Sequence, residues 1–414
     1  MSGHTTWVIS ELYYPEGAST GRILTAIAED LSQKGRTVKV LCAKPTYDSL
    51  GQKVVSRETH NGVEIRRCPS TSLDRHKLPF RAINFLTFCI STFFIALSSF
   101  KRGDTVLVVT NPPVLPFIVW AAAGLKGART VLLIHDIYPE ALDRAGILSE
   151  TKGSFRFLDK RFSKMISKMN RAIVLGRDAK ELIIEKLNRW NLPVLPIDIV
   201  PNYADINEVL PGERSENPLI KELGWQDKFI LQYAGNMGRT HGFTTVVETL
   251  ETMKEDPSVQ FHFIGSGAMK KKLEDEVSAR GLTNTCVSGY RPKEQLNDSL
   301  GACDTALITF SPRMKGVSIP SRMYNVMSAG RPIIGSCEVG SEMELVVREH
   351  QIGWIAEPGS TESLISAIKA AQNTSVEERR EMGLRARKAA VEIYSDRHTF
   401  DQMHDSLSAA EAQR

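Results

Sequence analysis

Arg322 lies in the stretch GVSIPSRMYNVMSAGRP, Gly316 to Pro332, where residue types and spacing suit phosphate chemistry. Ser318, Pro320 and Ser321 form a polar lead-in. Arg322 and Tyr324 fall in the first turn of a helix of about ten residues, which Gly330 ahead of Pro332 closes. The first amides of a helix have no intrahelical acceptor and carry the positive end of its dipole. A phosphate placed there gains hydrogen bonds and charge compensation together, and Arg322 adds a planar fork of donors. Ser-Arg at a helix start is more commonly a simple cap, and that plainer reading stands unless other segments converge on the same place.

Three further segments carry glycine or a polar donor just after a buried, strand-like run. They are YAGNMGRTHG (Tyr233 to Gly242, with Asn236, Gly238, Arg239 and His241), IGSG (with Gly265 and Gly267) and SGYRP (with Tyr290 and Arg291). Doubly wound sheets bind ligands at such strand ends. In the first half, His135-Asp136 ends a buried run and opens HDIYPEALDRAGIL. A His-Asp pair there can orient a hydroxyl and accept its proton, the alternative being a structural pair that caps the next helix. Glu16, Tyr138 and Glu140 are weaker candidates. Gly17, in the loop ELYYPEGAST after the first strand, permits a ligand to approach the backbone, but GxGxxG is missing and with it the dinucleotide fingerprint. No Asp-x-Asp pair occurs, so no metal ligand is expected.

A scaffold must bring these strand ends together, and the apolar periodicity supplies one. Thr6 to Ser10, a helix with Ile23, Leu24, Ile27 and Leu31 on one face, and Thr37 to Ala43 make a βαβ unit. Strand-like runs follow at Val63 to Arg66, Thr105 to Val109, Thr130 to Ile134, Ala172 to Leu175 and Ile197 to Val200. A boundary falls after VPNYAD, Val200 to Asp205, where prolines punctuate a polar stretch. A second series then runs through Phe229 to Ala234, Val259 to Gly265, Thr285 to Gly289, Asp304 to Ile308 and Ile333 to Gly335, with helices centred near Val247, Leu273, Leu296 and Met327. The expectation is α/β: two Rossmann-like, doubly wound parallel-sheet domains at 1–200 and 201–375, with closing helices at 376–414 whose partner domain the sequence does not reveal.

The length of 414 residues suits two domains. A net charge of +4 is too mild for a general nucleic-acid binder, yet leaves room for a local basic face. Six scattered cysteines without a CxxC pair form neither a zinc pattern nor a disulfide framework, and fit a reducing compartment. No signal peptide is expected, since Met1 leads directly into the first strand. Ile83 to Leu97 is the most apolar run, and its fifteen residues are short for a bilayer core of about 30 Å. As a helix it gathers Asn84, Thr87, Ser91 and Ser98 in a polar stripe, with Phe85, Leu86, Phe88, Phe93, Phe94 and Leu97 over the remainder. Arg75, Lys77 and Arg81 before it, and Lys101 and Arg102 after it, stand where interfacial anchors would. A core helix and a lipid-facing helix both fit. A basic segment, Arg156 to Arg171, sets Lys160, Lys164 and Lys168 opposite Phe157, Leu158, Phe162 and Met165, as a solvated face or one drawn to anionic lipid.

In order and in wording, YAGNMG, GVSIPSRMYNVMSAGRP and HDIYPEAL resemble the family 4 glycosyltransferases of GT-B fold. Within that family the resemblance is to the bacterial O-antigen and colanic-acid type, including N-acetyl-L-fucosamine transferases, and it extends over nearly the whole chain. It implies two Rossmann-like domains facing across a cleft. It also implies retaining transfer from a nucleotide-diphosphate sugar, UDP-linked in the family's manner, to an acceptor held by the first domain. Arg239 and Arg322 would then act on the leaving diphosphate in place of a metal, with His135 and Asp136 on the acceptor side. Gly17, Asn236, Gly238, His241, Gly265, Gly267, Tyr290, Arg291, Ser321, Tyr324 and Asn325 would line the donor. The family's usual loop Arg and Lys are replaced by Asn236 and His241, and of its Glu-x7-Glu carboxylates the second position is Asn325 and the first falls near Lys315 to Val317.

The resulting expectation is a cytoplasmic enzyme bound peripherally to the inner membrane. It would take no cofactor beyond the sugar nucleotide, and a polyprenyl-diphosphate-linked saccharide would be its acceptor. A UDP-sugar 2-epimerase and a non-catalytic sugar-nucleotide-binding scaffold are the alternatives; turnover with donor alone, or none, would mark them.

Overall fold

The computed structural model describes residues 4–17, 19–44, 54–73 and 78–413. Arg75 and Lys77 lie outside them. The chain divides into two compact units, the first comprising Met1–Ala141, Ser149–Pro201 and Thr399–Arg414, the second Leu142–Leu148 and Asn202–His398.

Unit 1 is built on β1 (Thr5–Ile9), α1 (Ser19–Gln33), β2 (Thr37–Cys42), β3 (Arg57–His60), β4 (Val63–Arg67), α2 (Leu78–Ser99) and β5 (Thr105–Val109). It continues through α3 (Leu115–Lys126), β6 (Arg129–Ile134), α4 (Glu140–Arg144, which passes into unit 2), α5 (Gly153–Ile166), β7 (Arg171–Val174), α6 (Arg177–Arg189) and β8 (Ile197–Ile199). Its eight strands lie in the order β3-β4-β2-β1-β5-β6-β7-β8, parallel except for the β3–β4 pair. The central strands β5 and β6 are almost wholly buried, as parallel strands covered on both faces must be. Strand order reverses between β1 and β5.

Helix α2 has 22 residues where fifteen were expected. Phe88, Cys89, Thr92 and Ala96 are buried, and Asn84 is bonded to the 71–73 segment through Leu73 and Thr71. The opposite face leaves Ile83, Leu86, Ile90 and Phe94 exposed. Spaced three and four apart, these form one stripe. By length and composition alone Pro79–Ser99 could cross a membrane, yet 28% of its apolar window is buried within the protein. Core helix and exposed apolar helix are thus two faces of one element. The basic helix ends at Ile166, earlier than expected, and leaves Lys168 beyond it.

Unit 2 runs through α7 (Pro218–Leu223), β9 (Phe229–Ala234), α8 (Phe243–Thr252), β10 (Val259–Ile264), α9 (Lys270–Ala279), β11 (Thr285–Ser288), α10 (Leu296–Gly301) and β12 (Thr305–Thr309). Then come α11 (Arg322–Ser328), β13 (Ile333–Ser336), α12 (Glu342–Glu349), β14 (Gly353–Ala356), α13 (Thr361–Asn373) and α14 (Val376–Glu392). All six strands are parallel, in the order β11-β10-β9-β12-β13-β14. The core packs Tyr233, Phe243, Phe261 and Phe263 against Leu307, Ile334 and Ile368.

The closing helices part company. α14 packs on α11 in unit 2. The last helix, α15 (Asp396–Ala412), belongs to unit 1 from Thr399 onward, where Lys34 and Arg36 pair with Asp401 and Glu411 at 2.7 and 2.6 Å.

Candidate functional site

Because every strand of unit 2 is parallel, all its strand ends emerge on one edge. β9, β10 and β11 step outward in one direction and β12 in the other, which makes the β9–β12 gap the point where a doubly wound sheet opens to a ligand. The two loops that leave this gap are stitched together. Thr309 Oγ1 donates to the His241 carbonyl at 2.6 Å, Ser311 N to the Thr240 carbonyl at 2.8 Å, and Gly242 N to Ser311 Oγ at 3.1 Å.

At the centre of this edge stands Tyr233, the penultimate residue of β9, with its ring buried. The guanidinium of Arg322 comes from α11 and lies 4.4 Å from the ring centroid, in cation–π contact. Arg322 Nη2 donates to the Asn236 carbonyl at 3.2 Å and to His241 Nδ1 at 3.0 Å. The Tyr233 hydroxyl donates to the same carbonyl at 2.6 Å and sits 2.7 Å from Nδ1. Burial, with a smaller effect of the Arg322 charge, pushes the His241 imidazole down to about 3. Burial likewise raises the Tyr233 phenol, and Arg322 opposes this. Arg322 Nη1 is buried without an acceptor among the described residues. A buried guanidinium N–H without a partner is costly, and an anionic oxygen would satisfy it.

The other sequence candidates sort by position. Asn325 follows Arg322 by three residues on α11, on the same side. Arg239 is exposed in the β9 loop and makes no hydrogen bond or ion pair among the described residues. Tyr290 is 61% exposed, and near enough to Tyr233 to bear on its ionisation. Arg291 turns to α7 instead, where Glu222 holds it at 2.9 Å. Tyr324 is fully buried, tilted against Tyr394 at 5.3 Å, so it is a core ring and not part of the strand-end cluster. Ser321 occupies the N-cap position of α11 but makes no side-chain capping bond. α11 itself has seven residues where about ten were expected, and with so short a dipole the cation of this edge is Arg322 itself.

Gly265 and Gly267 are explained by backbone packing. A Cβ on Gly265 would lie 2.0 Å from the Gly235 carbonyl oxygen, and one on Gly267 2.6 Å from that of Met237. These glycines let the β9 and β10 loops touch. A Cβ on Gly238 would press on His241 at 3.3 Å. Tyr233 is the member of the cluster not singled out from the sequence. The signal was a tyrosine at the end of an apolar strand, whose hydroxyl must find a partner when buried.

In unit 1, His135 and Asp136 follow β6 directly, and Thr110 Oγ1 accepts both their amides at 3.2 and 3.4 Å. His135 Nε2 is buried with no partner among the described residues, and burial pushes the imidazole down to about 4. Burial, reinforced by Asp136, raises the Tyr138 phenol. Gly17 is exposed in the β1 loop, and Glu16 is buried there. Glu140 has a structural role: its carboxylate grips the fully buried Lys186 ammonium at 2.5 and 2.6 Å, and Asp159 takes the same ammonium at 2.6 Å.

Two Rossmann-like α/β units with parallel sheets define the GT-B class. Over 99% of this chain the fold matches sucrose-phosphate synthase of Thermosynechococcus elongatus (TM-score 0.78, 14% identity, 100% of that chain). Over 98% it matches Anabaena HepE solved with UDP (TM-score 0.71, 15% identity, 100% of that chain). Residues 215–389, within unit 2, match the family described as glycosyl transferases group 1. The chain is 34% identical over 272 residues to a probable glycosyltransferase, WbjE, of Pseudomonas aeruginosa, covering 65% of this chain and 66% of that protein. It is 24% identical over 370 residues to a putative colanic acid biosynthesis glycosyl transferase, WcaI, of Escherichia coli, covering 87% and 90%.

Proposed function

We propose that the chain is a retaining, metal-independent glycosyltransferase of family 4. It moves a sugar, an N-acetyl amino sugar such as N-acetyl-L-fucosamine, from a UDP-sugar to a polyprenyl-diphosphate-linked saccharide in cell-surface polysaccharide synthesis. The observation that carries this reading is the Arg322 guanidinium at the β9–β12 gap, with a buried Nη1 that lacks an acceptor among the described residues. The relatives named for colanic acid synthesis and the UDP complex of a protein of the same fold support it.

Unit 2 takes the donor. As the bond from the anomeric carbon to the diphosphate oxygen loosens, negative charge grows on that oxygen. Arg322, with the exposed Arg239 of the β9 loop, stabilises the charge where it develops. The acceptor hydroxyl oxygen forms the new bond to the anomeric carbon, and its proton passes to the departing diphosphate. Asn325 bonds a ribose hydroxyl. On the acceptor side a neutral His135, with its free ring nitrogen, orients the hydroxyl. The acceptor is lipid-linked and the enzyme sits on the cytoplasmic face of the inner membrane. The exposed stripe of α2 enters the lipid interface, and Lys160, Lys164 and Lys168 attract anionic headgroups.

The test is a screen of UDP-sugars against a polyprenyl-diphosphate-linked monosaccharide in the presence of EDTA, read by product mass. The expected result is a product heavier by one sugar residue. Conversion of the donor without acceptor would favour an epimerase, and the absence of any turnover a scaffold.

A further inference from the structure

His241 Nδ1 receives two groups that can only donate: the Gly238 amide at 3.2 Å and Arg322 Nη2–H at 3.0 Å. Nδ1 therefore presents its lone pair, and the one proton of the neutral ring is on Nε2. Tyr233 Oη, also within reach of Nδ1, has an outlet for its proton in the Asn236 carbonyl. The Asn236 carbonyl favours a proton on the ring, but burial and the Arg322 charge outweigh it. Its own loop offers the Gly238 N–H, α11 a guanidinium, β9 the Tyr233 hydroxyl, and the segment after β12 the Phe310 ring at 5.8 Å. The imidazole is held far below its usual range by burial first and the Arg322 charge second.

We infer that His241 is a positioning residue, a permanently neutral acceptor whose Nδ1 fixes the Arg322 guanidinium over the Tyr233 ring for a nucleoside diphosphate. Two constraints act on the guanidinium. The Tyr233 ring holds it by cation–π contact at 4.4 Å, and His241 Nδ1 with the Asn236 carbonyl fixes its rotation through Nη2. Nη1 is then the donor left for the ligand. Gly235 leaves room beside it, because a Cβ there would come within 3.6 Å of Nη1. The β9 loop thus contributes an acceptor at position 241, and the charge arrives from α11. The inference rests on the donor-site reading above, but the ring's protonation state can be read without turnover.

The experiment uses the full chain. Nitrogen-15 NMR of histidine-labelled protein should show His241 as the Nε2–H tautomer with a bare Nδ1 throughout pH 5 to 8. UDP affinity is measured calorimetrically for the wild type, H241A, H241Q and H241K, with circular dichroism and melting as folding controls. H241A should bind UDP about 10-fold more weakly, the scale of one charge-assisted hydrogen bond. H241Q, which offers an acceptor again, should recover most of that loss. H241K, a donor and a cation against Arg322, should bind no better than H241A. A proton on Nδ1, a ring that titrates above pH of about 5, or H241K binding as tightly as the wild type would overturn the inference. Where a variant fails to fold, the wild-type tautomer decides. A wild type that ignores UDP refutes the donor site, and the tautomer still judges His241.

Discussion

His135 and His241 are both imidazoles set just beyond the carboxyl end of a parallel sheet, and burial holds both neutral. Their second nitrogens are treated differently. In unit 2 the Nδ1 of His241 is already taken by the Gly238 amide and Arg322, inside a knot of loops that also bond to one another. In unit 1 the Nε2 of His135 has no partner among the described residues, and the backbone around it is fixed through Thr110. A preorganised charge needs its geometry settled before the ligand comes, because reorganisation during the reaction would cancel its benefit. A group that must exchange hydrogen bonds with an incoming hydroxyl needs the opposite, a vacant position on a fixed frame.

That frame should be the most fragile part of the contrast. Lys186 is fully enclosed between Glu140, which opens α4 five residues after His135, and Asp159 of α5. Lys186→Ala strands the buried Glu140 carboxylate and leaves Asp159 only Arg189 and Trp190, and the expected cost is about 3 to 5 kcal/mol of unit 1 stability. Denaturant melts followed by hydrogen exchange should place the loss in unit 1; equal loss in both units would mean that they do not fold separately. Next in size is Arg322→Ala, which should lower kcat/KM by about 100- to 1000-fold as a removed charge-stabilising donor does. His135→Ala should act on the acceptor instead and leave UDP affinity unchanged. Equal effects of the two on UDP binding would erase the division between committed and vacant imidazole.

Acid sensitivity comes third. The folded-state values of both rings lie below the unfolded value of about 6.5, so the unfolded chain binds protons first as pH falls. The stability they contribute is complete above that value and is lost as pH drops toward about 4 for His135 and about 3 for His241. Between pH 7 and 5 each should cost about 2 kcal/mol. His262, held down to about 4 by burial, adds to the unit 2 share. Urea melts at the two pH values should show H135N and H241Q each removing its own part of the loss. An unchanged slope in either variant would mean that its ring is not neutral in the folded protein.

Much of the frame was legible because buried parallel strands are runs of β-branched and aliphatic residues, as in TVLVV and RTVLLI. The edge strands β3 (RETH) and β14 (GWIA) escaped, both four residues long, the first polar and the second opening on a glycine. Gly265 and Gly267 were legible as positions that must lack a side chain, but the sequence does not say whether a ligand or another loop fills the space. Arg322 was marked by its place at a helix start. Its partnership with His241 was hidden, since the two are 81 residues apart and meet only where β9 and β12 diverge. Tyr324 misled for a related reason: its side chain faces Tyr394 beyond α14, and the sequence does not disclose where that segment packs.

The smallest expected effect on stability, and the sharpest on location, belongs to α2. Leu86, Ile90 and Phe94 are 59, 48 and 65% exposed, whereas Phe88, on the other side of the same helix, is 1% exposed. Replacing the three exposed residues with serine should leave the melting curve nearly unmoved, within about 0.5 kcal/mol per site, because surface positions away from packing contribute little. Phe88→Ser removes a core ring and should cost about 3 to 5 kcal/mol, as Phe to Ala does elsewhere. Cosedimentation with vesicles containing anionic lipid then separates the two faces: the triple serine variant should stay in the supernatant while folded, and the wild type should pellet. If the folded triple variant pellets like the wild type, the stripe does not hold the protein to lipid, and the basic face of α5 must do so alone. Salt distinguishes that case, because a purely electrostatic attachment falls away as ionic strength rises and an apolar one does not.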